Sequence, residues 1–520
     1  MFLHRWKQEP TISTIAPTHE IEATFDCKCP EWKVLCAANR AKQLLGIDHE
    51  DGYAMVNQFK QEMETIDRNN IVLVDTEILP SDGGERFKRM FVCYERASYA
   101  FKVHCRRLLA VDGWKMNNPY NNVMLVAAAL DGNNGILPVA FCEVEIEDLD
   151  SWVYFLKNIN NALRLESGTG LCILADGDND VEYAVEEYLA HATYRQCCHR
   201  IFTEMVNKFP KAVVHHLFWA ACRSTSALAF FKYMELICVQ SKECHDWLEK
   251  SNWKRWALFC VPEWVKCTCI TLTITEKLRN YCQPYLEMNI ARKFEAIARL
   301  TSELFEQRRM VVWNWNREKV PPKVQDVIND RCIDGKRLSV VQDHGTLLKV
   351  TDSLSSSYDL NMEAMTCTCG LWQISGIPYP HACIGIHYIN GNVEDYVDEL
   401  LSVQNFLSTY APGMMQLPKE NAWKWHSGHN LHPPMTVALQ PLTLQPPNDI
   451  TSNKDLQHTF HHYYSTTDNL QETTFTNSSQ EDGMCIMIST SSDDSIISHP
   501  ILLTHSVSLG KTVILPIPQY

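Results

Sequence analysis

The sequence predicts an α/β fold, and three observations within residues 86–209 support that prediction. Apolar runs at 108–111 and Val123–Leu130 each end at an Asp-Gly pair, which is typical of buried strands closed by turns. The next apolar run, Ile136–Val144, follows across a turn that favours a hairpin. From residue 151 onward, helical patterns alternate with short strands. The predicted order of elements is β-β-β-α-β-α-β-α.

The first helix of this order begins near Ser151, where Ser151 or Asp150 is the natural N-cap residue. A strand at 171–175, a helix at 180–190, a strand at 193–198 and a further helix follow. The first three strands are expected to pair antiparallel. Because a helical crossover joins the third strand to the fourth, we expect the fourth to lie parallel to the first and beside it.

This arrangement brings two aspartates to the same edge of the predicted sheet. Asp112 follows the first strand and Asp176 follows the fourth, and each precedes a glycine that permits close approach. Paired carboxylates are hard oxygen ligands, so they predict a site for Mg²⁺ or Mn²⁺. Taken singly, each aspartate is better explained as a turn residue. A metal site is predicted because the order of strands and helices brings the two aspartates together.

Composition and charge exclude several classes of protein. The chain has 520 residues, of which 45% are hydrophobic, so it contains enough apolar material for a large core. Collagen-like, coiled-coil and wholly disordered classes are therefore excluded. Asp and Glu total 62 against 47 for Lys and Arg, which gives a net charge of −15 at pH 7. Any contact with nucleic acid must come from a local basic patch.

The 21 cysteines are an odd number, scattered along a long chain that shows no leader segment. This pattern predicts reduced thiols in an intracellular protein rather than a disulfide framework. The longest uninterrupted apolar run, Val123–Leu130, is too short to cross a bilayer. We therefore expect no role at a membrane.

Changes in composition and periodicity divide the chain into segments. In order, we expect an N-terminal extension (1–47), a helical lead-in (48–100), the main α/β domain (101–310) with a helical insertion at about 211–270, a small β-rich connector (311–366), a cysteine motif (367–390), a trailing helical segment (391–425) and a tail (426–520). The tail is acidic and rich in Ser, Thr and Pro, and it is predicted to be disordered.

Several segments together resemble one known family. They are residues 87–91 (Phe-Lys-Arg-Met-Phe), 108–113 (Leu-Leu-Ala-Val-Asp-Gly), 127–133, 138–140, 151–156, 174–176 and 367–378 (beginning Cys-Thr-Cys-Gly-Leu-Trp). Over about residues 48–425, the sequence resembles the transposases of Mutator-like elements. The last segment is similar to the SWIM-type zinc finger of that family. The resemblance implies an RNase H-like catalytic core with a helical insertion, and it implies DNA as partner and a nuclear location. It leaves open whether the chain also associates with itself.

The family's catalytic site implies three acidic metal ligands in this chain. Carried over by position, Asp112 is the first aspartate and Asp176 the second, with Mg²⁺ or Mn²⁺ as cofactor for phosphodiester cleavage and strand transfer. In the family the third ligand lies on the first turns of a long helix. The matching residue here is Glu276, with Glu235 as the alternative. The family's Cys-x-x-His pair is altered, because Arg200 stands where histidine is expected.

The SWIM-like segment implies a zinc site. The SWIM pattern is Cys-x-Cys followed by Cys-x-His, which supplies four tetrahedral zinc ligands. The chain has Cys367, Cys369 and His381, but Tyr379 stands at the third cysteine. Cys383 is the alternative fourth ligand. It follows His381 by two residues, however, and on a helix this spacing is expected to point the two side chains in nearly opposite directions. A former zinc module with reduced cysteines is the other interpretation.

Three functions are compatible with these residues. The first is an active DNA transposase. The second is a transposase-derived protein that has lost catalysis and acts as a transcriptional or protein-interaction module, and the altered family patterns and acidic charge favour it. The third, a metal-dependent hydrolase of small phosphoesters, does not explain the SWIM-like segment. Mg²⁺-dependent cleavage of duplex DNA separates the first function from the second.

Overall fold

The computed structural model describes residues 47–80, 83–315, 319–344, 346–352, 356–418, 423 and 431–434. This part of the chain forms a mixed α/β fold around a seven-stranded sheet, with a second sheet of four strands. The predicted N-terminal extension, apart from its last residue, and nearly all of the predicted tail lie outside the described residues.

The large sheet contains the strands that the sequence predicts. Its members are β1 (Ile71–Ile78), β2 (Glu85–Cys93), β3 (Leu108–Lys115), β4 (Val123–Leu130), β5 (Ile136–Val144), β6 (Cys172–Ala175) and β7 (Thr193–Gln196), in the spatial order β1-β2-β5-β4-β3-β6-β7. β4 pairs antiparallel with β3 and β5, whereas β6 is parallel to both β3 and β7. The predicted antiparallel strands and the parallel fourth strand beside the first are confirmed.

The predicted lead-in is only partly helical. Helices α1 (Ile47–Ala54) and α2 (Val56–Ile66) precede β1, and α3 (Glu95–His104) follows β2. β1 and β2 extend the large sheet, because β2 pairs antiparallel with β5 on one side and with β1 on the other. Burial of Phe87, Met90, Phe91 and Val92 between the packed layers stabilises β2.

Three helices alternate with the parallel strands: α4 (Leu149–Leu163) precedes β6, α5 (Asn179–Tyr188) joins β6 to β7, and α6 (Cys198–Lys208) follows β7. The apolar face of α4, which includes Trp152, Phe155 and Leu156, is buried as its spacing predicts. The N-cap residue of α4 is Asp148, whose carboxylate accepts a hydrogen bond of 2.9 Å from the Ser151 backbone N–H. The cap therefore lies two or three residues earlier than the predicted Asp150 or Ser151.

The predicted helical insertion contains α7 (His215–Arg223), α8 (Ala227–Gln240) and α9 (Lys242–Lys250), followed by short 3₁₀ turns. Its core is aromatic: the Trp256 ring lies 5.7 Å from that of Phe218 and 5.4 Å from that of Phe230. Two further helices, α10 (Thr273–Cys282) and α11 (Ile290–Val312), return the chain to the large sheet. Among the described helices, none is long and apolar enough to cross a membrane.

The cysteine motif belongs to a small module with its own hydrophobic core. Its elements are α12 (Pro322–Gly335), β8 (Ser339–His344), β9 (Leu347–Thr351), β10 (Ser357–Asn361), β11 (Thr366–Cys367), α13 (Leu371–Ser375) and α14 (Pro380–Tyr388), and α15 (Val403–Tyr410) follows. The predicted strands of the connector are present, but the connector also contains α12, which the sequence analysis missed.

Residues 431–434 differ from the prediction of a disordered tail. The Phe87 backbone N–H donates a hydrogen bond of 2.9 Å to the His432 carbonyl, and the His432 N–H donates one of 2.8 Å to the Glu85 carbonyl. Leu431 beside them is buried in the main core. Pairing with the start of β2 therefore orders this short segment, which composition alone does not predict.

Candidate metal sites

The topology brings Asp112 and Asp176 to the same edge of the large sheet. Asp112 lies in β3, and Asp176 directly follows β6. The parallel register pairs Ala110 with Leu174, so the two aspartates, each two residues further along, come level on neighbouring strands. Both side chains are partly buried. The structure thus places this pair of predicted ligands together.

Asp112 is held by two hydrogen bonds to one carboxylate oxygen. The Thr275 hydroxyl and the Trp114 indole N–H donate to Asp112 Oδ2 over 3.0 Å and 3.1 Å. Burial raises the pKa of Asp112 above its ordinary value, the two hydrogen bonds oppose that rise, and the nearby charge of Asp176 adds to it. A divalent cation would relieve this repulsion, so the donor set fits a hard metal ion.

A third carboxylate that the sequence analysis missed, Glu147, lies near this pair. Burial raises the pKa of Glu147, and the charges of Asp176, Asp178 and Asp112 raise it further. A Cβ atom on Gly113 would overlap the Glu147 carboxylate, so a larger residue at 113 would require the Glu147 side chain to move. The topology contained a signal for Glu147, because β5 runs in the same direction as β3 and ends at the same edge of the sheet.

The predicted third ligand, Glu276, lies on α10 as expected, but its side chain is exposed. The residue of α10 that contacts Asp112 is its neighbour, Thr275. The alternative, Glu235, is exposed on α8 in the helical insertion. Within the described residues, Asp112 and Asp176 belong to no group of three potential ligands whose ligand atoms lie within 4.8 Å of one another.

Arg200, at the expected histidine position, contributes positive charge near the aspartates. Its guanidinium donates a hydrogen bond of 2.9 Å to Glu204. This hydrogen bond raises the pKa of Arg200, and the charges of Asp176 and Asp178 raise it further. Both Arg200 and His199 are exposed, so His199 does not replace the missing histidine beside the buried Cys197.

The second candidate site consists of Cys367, Cys369 and His381. All three side chains are buried, and their ligand atoms lie within 4.8 Å of one another. Cys367 Sγ lies 3.7 Å from His381 Nδ1. Two tetrahedral ligands with bonds of about 2.3 Å to sulfur and about 2.0 Å to nitrogen are separated by about 3.5 Å. The geometry is therefore compatible with a zinc ion.

Cys367 and Cys369 shift each other's pKa in opposite directions. The Cys367 thiol, and after it His381, lower the pKa of Cys369 to about 5. The same hydrogen bond to Cys369, together with burial, raises the pKa of Cys367. Because thiolates are the form of cysteine that binds metal, Cys369 is prepared for coordination.

The neighbours of His381 fix its orientation. The Tyr358 ring stacks on the His381 ring, with centroids 3.7 Å apart and an angle of 17° between the planes. Tyr379, at the position of the third SWIM cysteine, meets the same imidazole edge-on with centroids 5.4 Å apart. Aromatic side chains therefore contact the histidine on two sides, and one of them, Tyr379, occupies the position where the SWIM pattern has a cysteine.

Cys383 does not join this group. Its Sγ lies 3.5 Å from the Pro378 carbonyl oxygen. Burial raises the pKa of Cys383, and the neighbouring Cys332 thiol on α12 raises it further. The side chain thus faces α12, as its position two residues beyond His381 on a helix implies.

The described residues contain a second group with metal-ligand spacing. His245, Asp246 and Glu249 lie on one turn of α9, with ligand atoms within 4.8 Å of one another. His245 Nδ1 is 3.1 Å from Asp246 Oδ1. Glu249 is exposed, and the group lies on the surface of the insertion. Sequence analysis did not single it out, because this spacing is common on exposed helices.

No model of a protein family matches this chain, and no curated protein matches it.

Proposed function

We propose that this chain is a DNA transposase of the Mutator-like type, with an RNase H-like core formed by β3 to β7. The observation that carries the proposal is the level placement of Asp112 and Asp176 on neighbouring parallel strands. The central order β5-β4-β3-β6-β7 supports it, because an antiparallel trio followed by two parallel strands is the arrangement that the resemblance implies. DNA as partner and a nuclear location belong to the same proposal.

Asp112 and Asp176 would hold Mg²⁺ or Mn²⁺. When bound, such an ion stabilises the attacking and leaving oxygens in an in-line displacement at a phosphodiester. Thr275 and Trp114 fix the orientation of the Asp112 carboxylate through their hydrogen bonds. The exposed Arg200 guanidinium offers a positive charge near Asp176, where a phosphate group of DNA would approach.

Cys367, Cys369 and His381 would hold a structural Zn²⁺ as the degenerate SWIM motif. The fit rests on their buried, convergent ligand atoms. A zinc ion there would join β11 to the start of α14. The Thr225 hydroxyl donates a hydrogen bond to the Cys369 carbonyl, which ties the site to the helical insertion as well. The ion would thus stabilise the packing of the small module on the main domain.

One observation favours a second candidate function, a transposase-derived interaction module without catalysis. Glu276 is exposed, and among the described residues Asp112 and Asp176 belong to no group of three ligands whose atoms all lie within 4.8 Å of one another. A site with only two carboxylates binds divalent cations more weakly than one with three. The same experiment separates the two candidates.

The test is nicking of supercoiled plasmid DNA by the purified full chain, with Mg²⁺ or Mn²⁺. We expect Asp112→Asn and Asp176→Asn each to reduce the nicking rate at least a hundredfold, because each removes a charged ligand from a site of only a few charges. Glu187→Gln, an exposed carboxylate on α5, is the matched control and should retain full activity.

The remaining variants and substrates decide between the alternatives. Loss of nicking in Glu147→Gln but not in Glu276→Gln would assign the third carboxylate to Glu147, and the reverse would assign it to Glu276. Wild-type chain that never nicks DNA with either ion would favour the interaction module. Hydrolysis of small phosphoesters without DNA cleavage would favour the phosphoester hydrolase instead.

A further inference from the structure

Helix α8 carries apolar side chains on two opposite faces. Phe230, Met234 and Ile237 are buried against the rest of the insertion. On the other face, Leu228 is 84% exposed and Val239 is 81% exposed, the highest values for large apolar side chains among the described residues. Apolar residues on both sides of a helix indicate a partner for the outer face.

The outer face of α8 has a definite pattern. At 100° per residue, Leu228, Phe231, Lys232, Glu235 and Val239 fall within an arc of about 100° on the helix surface. All five are exposed. The two strongly exposed apolar residues stand at the ends, and the oppositely charged Lys232 and Glu235 stand between them. We call these five residues the α8 outer face.

This pattern is complementary to itself under a twofold rotation. Consider a second copy of α8 lying antiparallel, with the axis midway between Tyr233 and Met234. Leu228 then lies opposite Val239 of the second copy, and Lys232 lies opposite Glu235 of the second copy. Each contact occurs twice, as an isologous interface requires. Opposite charges at the centre fix the register, and apolar contacts flank them on both sides.

We propose that the α8 outer face is the interface of a homodimer of this chain. The charge pattern favours a second copy, because an identical helix necessarily presents Glu235 to Lys232 and Lys232 to Glu235 at once. A nucleic acid is a poor match, since this face has one cation, one anion and three apolar side chains. Phe231 extends the apolar contact toward Trp253, whose ring lies 5.4 Å away.

The experiment measures the mass of the full chain by sedimentation equilibrium over a range of concentrations. We expect a wild-type dimer, and a dissociation constant raised at least tenfold by Lys232→Glu or by Glu235→Lys, because each places like charges opposite each other. The double variant K232E/E235K restores opposite charges in the same register, so it should recover the wild-type dissociation constant.

Two further variants make the test specific. Leu228→Glu combined with Val239→Glu should give a monomer, whereas Ile333→Glu should leave the dimer intact, since Ile333 is 58% exposed on α12 and is not part of the α8 outer face. Circular dichroism establishes that each variant is folded. A monomeric wild type at all concentrations, or a dimer that the single charge reversals leave unchanged, would overturn the proposal. Failure of the double variant to recover would refute the antiparallel register on which it rests.

Discussion

The partly buried charge of Asp112 lowers the stability of the folded protein at a candidate metal site. The carboxylate is partly buried beside Asp176, and its pKa is raised chiefly by burial. Hydrogen bonds from Thr275 and Trp114 offset only part of that cost. Such an arrangement is typical of functional sites, where charge is retained for binding rather than for folding.

We therefore predict that Asp112→Asn stabilises the metal-free protein at pH 7 by about 1 kcal/mol. Asparagine can accept the same two hydrogen bonds without a charge. A raised pKa means that the native state holds its proton more tightly than the unfolded state, so the contribution of Asp112 to stability is complete below its ordinary pKa of about 3.9 and declines as pH rises through the native pKa. The advantage of the variant should accordingly vanish near pH 4.

Urea unfolding at a series of pH values, with a chelator present, measures this difference. Asp326→Asn, at an exposed carboxylate of α12, is the control and should change the free energy of unfolding little at any pH. A variant less stable than the wild type at pH 7 would contradict the account of Asp112 given above.

At the scale of elements, the cysteine site depends on how β11 meets α14. β11 is only two residues long, and it ends at Cys367. The Gln373 side-chain amide donates a hydrogen bond of 2.9 Å to the Cys367 carbonyl and accepts one of 3.2 Å from its N–H. Pro380 at the first turn of α14 places His381 toward these cysteines and Cys383 toward α12. His381 and Cys383 therefore point to different sides of α14, because they are two residues apart on the helix.

From this geometry we predict that Cys369→Ser abolishes stoichiometric zinc, whereas Cys383→Ser retains it. Both changes replace a buried thiol with a hydroxyl of similar size, so Cys383→Ser is a matched control for the loss of a buried sulfur. The measurement is zinc content of the purified chain by mass spectrometry of the metal. Equal loss of zinc in both variants would place Cys383 in the site after all.

At the scale of the whole molecule, a buried polar network joins segments that are distant in sequence. The Lys293 ammonium on α11 lies 2.8 Å from Glu143 Oε2 on β5, and both side chains are 1% exposed. The Asn122 amide donates to Glu143 Oε1 over 2.8 Å and to the Tyr53 hydroxyl of α1 over 2.9 Å. The network therefore couples the lead-in helices, the sheet and the long helix.

We predict that Lys293→Met lowers the free energy of unfolding by about 3–5 kcal/mol, because it leaves the Glu143 charge buried without its partner. The double variant K293M/E143Q should recover most of that loss, since glutamine is uncharged and still accepts from Asn122. Urea unfolding of the two variants and the wild type checks both statements. Equal destabilisation by the single and double variants would mean that lost packing, rather than the unpaired charge, is responsible.

Much of the large sheet could be predicted from local sequence. Val123–Leu130 reads as a strand because its apolar run is continuous, and the structure begins and ends β4 at those residues. The connection rules for crossovers then predict that Asp112 and Asp176 come level. By contrast, β2 lies in the segment that the sequence predicts to be a helical lead-in (48–100), and this prediction is wrong for β2 because the strand depends on pairing with β5.

The sequence by itself therefore determined the strand order around Asp112 and Asp176, the cysteine spacing of Cys367 and Cys369, and the helix phase of His381, because these follow from periodicity and chain direction. The tertiary structure alone decided that Thr275 rather than Glu276 contacts Asp112 and that Glu147 lies near the pair. The reason is physical: contacts between residues far apart in the chain depend on how whole elements pack, and local patterns do not record that packing.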